Sequence, residues 1–293
     1  MRSIFGLAVG LVLVLVVTAV LFEFAARWYS AGSAAFGSAA GLNFWNTRGA
    51  PAPLGAVTPG LDLAAQAGVS GVVLVLAAAW NSMFLVVLAT ALAAGLGVPL
   101  GFWLAVHAPR SVVATLRSVT NVGIALPAFF LAFLLQVVAV ELAGRVGGTV
   151  LPVYGFGVDS HLVIPVLALA AAPFAYITRF VLVGATEINA LDFVRTARGK
   201  GLSETRVIYG HVAPNMLGIL GEAVIGGMRL VLGALVIVEY LVIWPGLGVL
   251  ALRAANLQNV SILFGSVAVL GVLFVLTEFG LDIVTRRTGV VTG

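Results

Sequence analysis

The chain has 293 residues, 61% of them apolar and 9% charged, with a mean hydropathy of +1.17. A soluble domain needs no such excess of apolar side chains, so the composition reads as an all-α, polytopic membrane protein. The net charge of +4 rests on 15 basic and 11 acidic residues, which loop arginines explain without nucleic acid, and the absence of cysteine excludes disulfides, thiolate nucleophiles and thiolate metal sites.

About 20 predominantly apolar residues cross a bilayer as a helix. Six stretches predict such spans: Ile4–Phe24, Asn81–Val106, Val119–Leu142, Leu162–Gly184, Met216–Ile243 and Ser261–Leu281. The first, within residues 1–25, is too long for a signal-peptide core and reads as a retained helix. Residues 26–80 predict an external loop, rich in Gly, Ala, Ser and Pro from Arg27 to Gly68. Its apolar end, Val69–Trp80, reads as a short interfacial or re-entrant helix, with a seventh span as the alternative. Residues 81–287 hold the other five spans. The loops alternate in charge: Arg2, Arg110, Arg117, the loop at 185–215 and Arg286-Arg287 fall on one side, and the sparser Arg27, Arg48, Arg145 and Arg253 on the other. The positive-inside rule then places both termini and the 185–215 loop in the cytoplasm. Small residues (Gly6 and Gly10, Gly97 and Gly101, and Gly221, Gly226, Gly227 and Gly233) suit close helix approach, or helix sliding during gating.

Seven charged residues gather between Glu187 and His211: Glu187, Asp192, Arg195, Arg198, Lys200, Glu204 and Arg206, and Lys200 is the only lysine of the chain. A chain so poor in charge has little reason to build this island unless something docks on it. The residues predict two short helices around a glycine break. Asn189 is a candidate N-cap for the first, Asp192 suits its positive end, and Gly199 and Gly201 supply the backbone that ends it. Ser203 is the candidate cap of the second, and Pro214 suits the start of the next span. Leu191, Val194, Ala197, Leu202, Val207 and Ile208 offer an apolar side for a partner's groove.

The run Asp192-Phe-Val-Arg-Thr-Ala-Arg-Gly-Lys-Gly-Leu-Ser203 resembles the cytoplasmic signature loop of ABC importer permeases, in the form found in the dipeptide, oligopeptide and nickel group. Arg195-Thr196-Ala197 takes the place of its Glu-Ala-Ala triplet, Gly201 that of its glycine and Pro214 that of its proline. Leu126-Pro127-Ala128-Phe129, a predicted kink, Leu151-Pro152-Val153-Tyr154-Gly155, and Glu239 followed by Trp244-Pro245-Gly246-Leu247-Gly248 are similar to further motifs of that group. The resemblance covers roughly Asn81 to Arg287. It departs where the group has a Pro-Gly-Asp-Pro-like motif after the first helix and a closing Asp-Pro-Arg, and Arg229 is foreign to the pattern.

No phosphate loop, zincin or nucleophile-elbow motif is present, so nothing reads as catalytic, and His107, His161 and His211 stand isolated. Ionisable residues at membrane depth are costly and mark a function or a pair. Glu222 and Arg229, two helical turns apart in the fifth predicted span, either satisfy each other or face a water-filled pathway, and Glu239 precedes the helix-breaking Pro245-Gly246. Trp244 alone would suit an interfacial belt.

The resemblance implies a type I importer permease fold with a coupling helix contributed by Asp192, Arg195, Thr196, Ala197, Arg198, Lys200, Gly201, Leu202, Ser203 and Pro214. It implies an external gate loop at Trp244, Pro245, Gly246 and Gly248. It also implies a second, non-identical permease subunit, two ATPase subunits or domains that bind the ATP and magnesium, and an extracytoplasmic solute-binding protein, all at a bacterial inner membrane. The chain itself would hold no cofactor and no metal. A self-sufficient secondary transporter is the alternative; it would want an inverted internal repeat, which the sequence does not display.

Overall fold

The computed structural model describes residues 71–256 and 259–288, which form helices joined by turns and loops and contain no strand. The first predicted span and most of the predicted external loop lie outside them. Five of the described helices are long and apolar enough to cross a membrane.

Helix α1 runs unbroken for 37 residues, Gly71–His107. At 1.5 Å per residue it is roughly 55 Å long, well beyond the ~30 Å of a bilayer core. The stretch before Asn81 is therefore neither a separate interfacial helix nor a seventh span: no glycine, proline or cap separates Trp80 from Asn81, so the helix propagates through the predicted boundary at 80. The third predicted span is corrected in the opposite sense. It divides into α2, Arg110–Ala125, and α3, Ala128–Val146. Leu126 is extended (φ −67°, ψ 119°), the conformation forced on a residue that precedes proline, and Pro127 turns the predicted kink into a break.

A 3₁₀ turn at Ser160–Leu162 leads into α4, Val163–Asn189. The Asp159 side chain caps the turn by accepting from the His161 N–H at 3.0 Å, and this bond lowers its carboxyl below the ordinary value. Two short helices follow, α5 at Asp192–Gly199 and α6 at Glu204–Val207, then a π turn at Ile208–Val212 and a single turn at Ala213–Asn215. The remaining helices are α7, Leu217–Val242, α8, Leu247–Asn256, and α9, Val260–Thr288.

Among the described residues these helices contribute to two compact units, one from 71–85, 132–165, 235–256 and 259–276, the other from 86–131, 166–234 and 277–288. In the first, Leu74, Val75 and Ala78 of α1 pack on Leu247 and Leu250 of α8, with Ile262, Val269, Leu270 and Leu273 of α9 closing the cluster. In the second, glycines decide how close the helices come. A Cβ on Gly101 would lie 2.5 Å from the Thr178 carbonyl oxygen, so only glycine lets α1 lie against α4 there. On α7, Gly226 receives the Tyr176 ring and Gly227 the Ile177 side chain in the same way, whereas Gly233 meets nothing within 4 Å.

Candidate functional site

The polar island is built from the second unit's own apolar contacts. Val194, Ala197, Val207 and Ile208, which the sequence offers to a partner, are buried within the chain. They are the foot that anchors α5 and α6, because a four-residue helix and an eight-residue helix cannot hold their shape without tertiary packing. The apolar residues left outward are Leu191, Phe193 at 42% exposure and Tyr209 at 70%, with Leu202 half-buried. The exposed set thus differs from the predicted one, and Phe193 and Tyr209 are its bulkiest members.

The capping prediction also shifts. Leu191 occupies the N-cap position of α5 and makes no side-chain bond, while Asn189 closes α4 and its Oδ1 accepts from Arg198 Nη2 at 2.6 Å. Ser203 does stand at the N-cap of α6 but makes no side-chain cap bond. Arg198 Nε and Nη2 donate to the two carboxylate oxygens of Glu204 at 3.0 and 2.6 Å. These bonds hold the Glu204 carboxyl below its ordinary value and raise Arg198. Arg198 therefore clamps α5, α6 and the end of α4 together instead of facing outward. Arg195, Thr196, Asp192, Lys200, Ser203 and Pro214 are exposed; Arg195 Nη1 lies 3.4 Å from Asp192 Oδ1, and Thr196 Oγ1 donates back to the Asp192 carbonyl at 2.8 Å. Gly201 adopts φ +77°, the left-handed conformation glycine favours, and its N–H donates to the Arg198 carbonyl at 2.9 Å.

The predicted Glu222–Arg229 pair is not made. Arg229 Nε lies 2.8 Å from Glu278 Oε1 on α9, an ion pair by distance whose N–H is not directed at that oxygen. Seven residues put Glu222 and Arg229 at similar angles on α7 but about 10 Å apart along it, and α9 brings Glu278 closer. Glu222 Oε1 is buried with no hydrogen-bond partner. It lines a cavity shared with Tyr176 and Arg179 of α4. Arg179 and Glu278 are not among the sequence candidates, although each is an ionisable residue inside a predicted span and so carries the same signal as Glu222. If Arg229 and Glu278 satisfy each other, Arg229→Met should lower the unfolding midpoint in detergent more than Arg229→Met with Glu278→Gln, since the single change leaves an uncompensated charge. Glu222→Gln should add to either independently. Stronger coupling of Glu222 than of Glu278 to Arg229 would contradict this pairing.

In the first unit, Glu239 and Trp244 hold the Trp-Pro-Gly loop from inside. Both are fully buried. The Glu239 carboxylate accepts from Ser82 Oγ at 2.5 Å and from the Gly248 N–H at 2.8 Å, and Ser82 Oγ accepts from the Leu247 N–H at 2.8 Å. Trp244 Nε1 donates to the Asn81 carbonyl at 3.1 Å and its ring packs on Phe156, so it is a core residue and not part of an interfacial belt. Ile243 takes φ +55°, unusual for a β-branched residue, where the chain leaves α7. Gly246 and Gly248 meet the Glu239 carboxylate so closely that a side chain on either would collide with it. Gln136 Nε2 donates to the carbonyls of Val153 and Leu241 at 2.8 and 3.1 Å, tying the Leu151–Gly155 stretch to the end of α7. The similar motifs seen along the sequence at 151–155 and 239–248 thus meet in one hydrogen-bonded cluster.

The profile of the family described as "Binding-protein-dependent transport system inner membrane component" matches residues 97–289, two thirds of the chain. The chain belongs to this family. Its match to the glutathione transport system permease protein GsiC of Escherichia coli is 32% identical and covers 55% of this chain and 51% of that protein. The same protein of Shigella flexneri matches at the same identity and coverage. The oligopeptide transport system permease protein AppB of Bacillus subtilis is 29% identical over 72% of this chain and 68% of its own length. The chain thus spans about half the length of the glutathione permeases it matches. Membership accounts for the long apolar helices, capable of crossing a membrane, among the described residues.

Proposed function

We propose that this inner-membrane component is the permease subunit of an ATP-driven importer for peptide-like solutes, and that α5, Gly201 and α6 are its docking element for a separate ATPase. One observation carries the reading: the island is anchored by its own buried residues and braced by the Arg198–Glu204 clamp, yet it leaves Leu191, Phe193, Arg195, Lys200 and Tyr209 outward. A solvated loop needs neither the brace nor exposed aromatics. In this reading Phe193 and Leu191 seat in an apolar groove of the ATPase, and Arg195 and Lys200 meet acidic or carbonyl groups at its rim. A second permease subunit completes the pathway, a solute-binding protein delivers cargo, and nucleotide-driven closure of the ATPase pair pushes the docking elements together, switching the pathway between two rigid-body states. The peptide-like solute rests on the names of the glutathione and oligopeptide relatives. Both termini and the island lie in the cytoplasm by the positive-inside rule.

A photocrosslinking amino acid placed at Phe193, in cells expressing the complete importer, tests the docking. It should yield an adduct with the ATPase, while the same probe at Phe133, an exposed residue of α3, should not. Adducts from Phe133 alone would overturn the assignment of this face.

A further inference from the structure

Within the second unit, α2, α4 and α7 line an open cavity of about 530 Å³. That lies inside the range of roughly 300–1,000 Å³ seen for small-molecule sites. Apolar side chains such as Ile124, Phe180 and Ile219 form most of its wall, and its polar groups are Tyr176, Arg179, Glu187 and Glu222. Opposite charges therefore face one space, yet they do not satisfy each other. Arg179 Nη1 donates to Asn121 Oδ1, a neutral acceptor, and among the described residues no ion pair joins Arg179 to Glu222 or Glu187. Glu222 keeps a buried carboxylate oxygen with no partner, and Arg229, seven residues on, is engaged by Glu278.

An unpaired cation and an unpaired anion at membrane depth are each costly, and a fold that keeps both beside one cavity leaves them for something that brings the complementary charges. A guanidinium presents a planar fork of donors that fits a carboxylate, and Asn121 uses only part of it. The free oxygen of Glu222 is suited to an ammonium donor. We propose that this cavity is a transit site for a zwitterionic solute, whose carboxylate rests on Arg179 and whose ammonium rests on Glu222. The intervening body of the solute lies along the apolar wall. The site rests on the permease reading above and deepens it: it names the charge pattern the pathway accepts after the solute has been delivered. Glu187, exposed at the end of α4, adds negative charge at the rim and favours solutes that carry a free amine.

The test uses the complete importer in lipid nanodiscs, without its binding protein, and the dipeptide alanyl-para-fluorophenylalanine observed by fluorine NMR. The free dipeptide should bind, and capping either terminus, as the N-acetyl or the C-amide form, should weaken binding about tenfold or more, the scale of one charge-assisted hydrogen bond. Arg179→Gln should make the acid and the amide bind alike, and Glu222→Gln should do the same for the free and acetylated amines. Binding of capped and free forms with equal strength, or of none of them, would overturn the site. The comparison of capped and free forms on the unmodified importer decides the matter even if a variant fails to insert. Stimulation of ATP hydrolysis is measured after loaded binding protein is added to the same nanodiscs. Stimulation without any dependence on the termini removes only the transit site, whereas no stimulation of the unmodified importer removes the permease reading itself.

Discussion

Glu239→Ala is expected to cost more stability than any other single change at the charged positions of the described helices. The carboxylate is fully buried and accepts from Ser82 Oγ and the Gly248 N–H, and Ser82 in turn accepts from the Leu247 N–H. Truncation leaves the hydroxyl and the amide without an acceptor in a site that water does not reach, each at about 1–3 kcal/mol, and it opens a cavity under the Trp244-Pro245-Gly246 turn. The expected loss is about 3 kcal/mol or more, read as a markedly lower unfolding midpoint of the detergent-solubilised protein. Glu239→Gln keeps one acceptor oxygen and should lose less than half as much. Equal midpoints for wild type and Glu239→Ala would show that the cluster does not hold the loop.

The residues show why some of the fold was legible in the sequence and some was not. A helix of about 20 apolar residues satisfies its own backbone hydrogen bonds inside a bilayer, so the spans from Leu162, Met216 and Ser261 are legible directly in the sequence. The predicted boundary at Asn81 follows a change of composition that helix propagation does not share; nothing at Trp80-Asn81 stops α1. Pro127 marks a kink in the sequence, and it becomes a full break because the preceding Leu126 must be extended as well. At the island, Gly201 and the two short helices follow from local backbone chemistry and were foreseeable. Which side chains face outward depends on packing against residues far along the chain, and sequence spacing alone did not distinguish the buried Val194 from the exposed Phe193. The partner of Arg229 eluded the sequence for the same reason. Heptad spacing proposed Glu222 on the same helix, and only tertiary packing brought Glu278 of α9 within 2.8 Å. Trp244 illustrates the limit of composition: a tryptophan near a helix end suits an interface, yet Asn81 supplies a buried carbonyl for its indole N–H and the ring goes inside.

The most direct measurement of the island's role is the ATPase rate of the reconstituted importer carrying Gly201→Asp, with and without loaded binding protein. Gly201 adopts φ +77°, and a Cβ there would meet nothing within 4 Å. The substitution therefore causes no clash inside this chain; its internal cost is the left-handed backbone, about 1–2 kcal/mol, which aspartate tolerates better than most residues. The protein should insert and fold in normal yield. The new carboxylate would stand between Arg198–Lys200 and Leu202, at the turn where the ATPase is proposed to close on the chain, and would add a like charge opposite any acidic rim. Basal hydrolysis by the ATPase should persist, and stimulation by loaded binding protein should fall by about tenfold or more, the effect of roughly 1.4 kcal/mol lost at one contact. Full stimulation in a normally inserted Gly201→Asp importer would contradict the assignment of this turn as the coupling element.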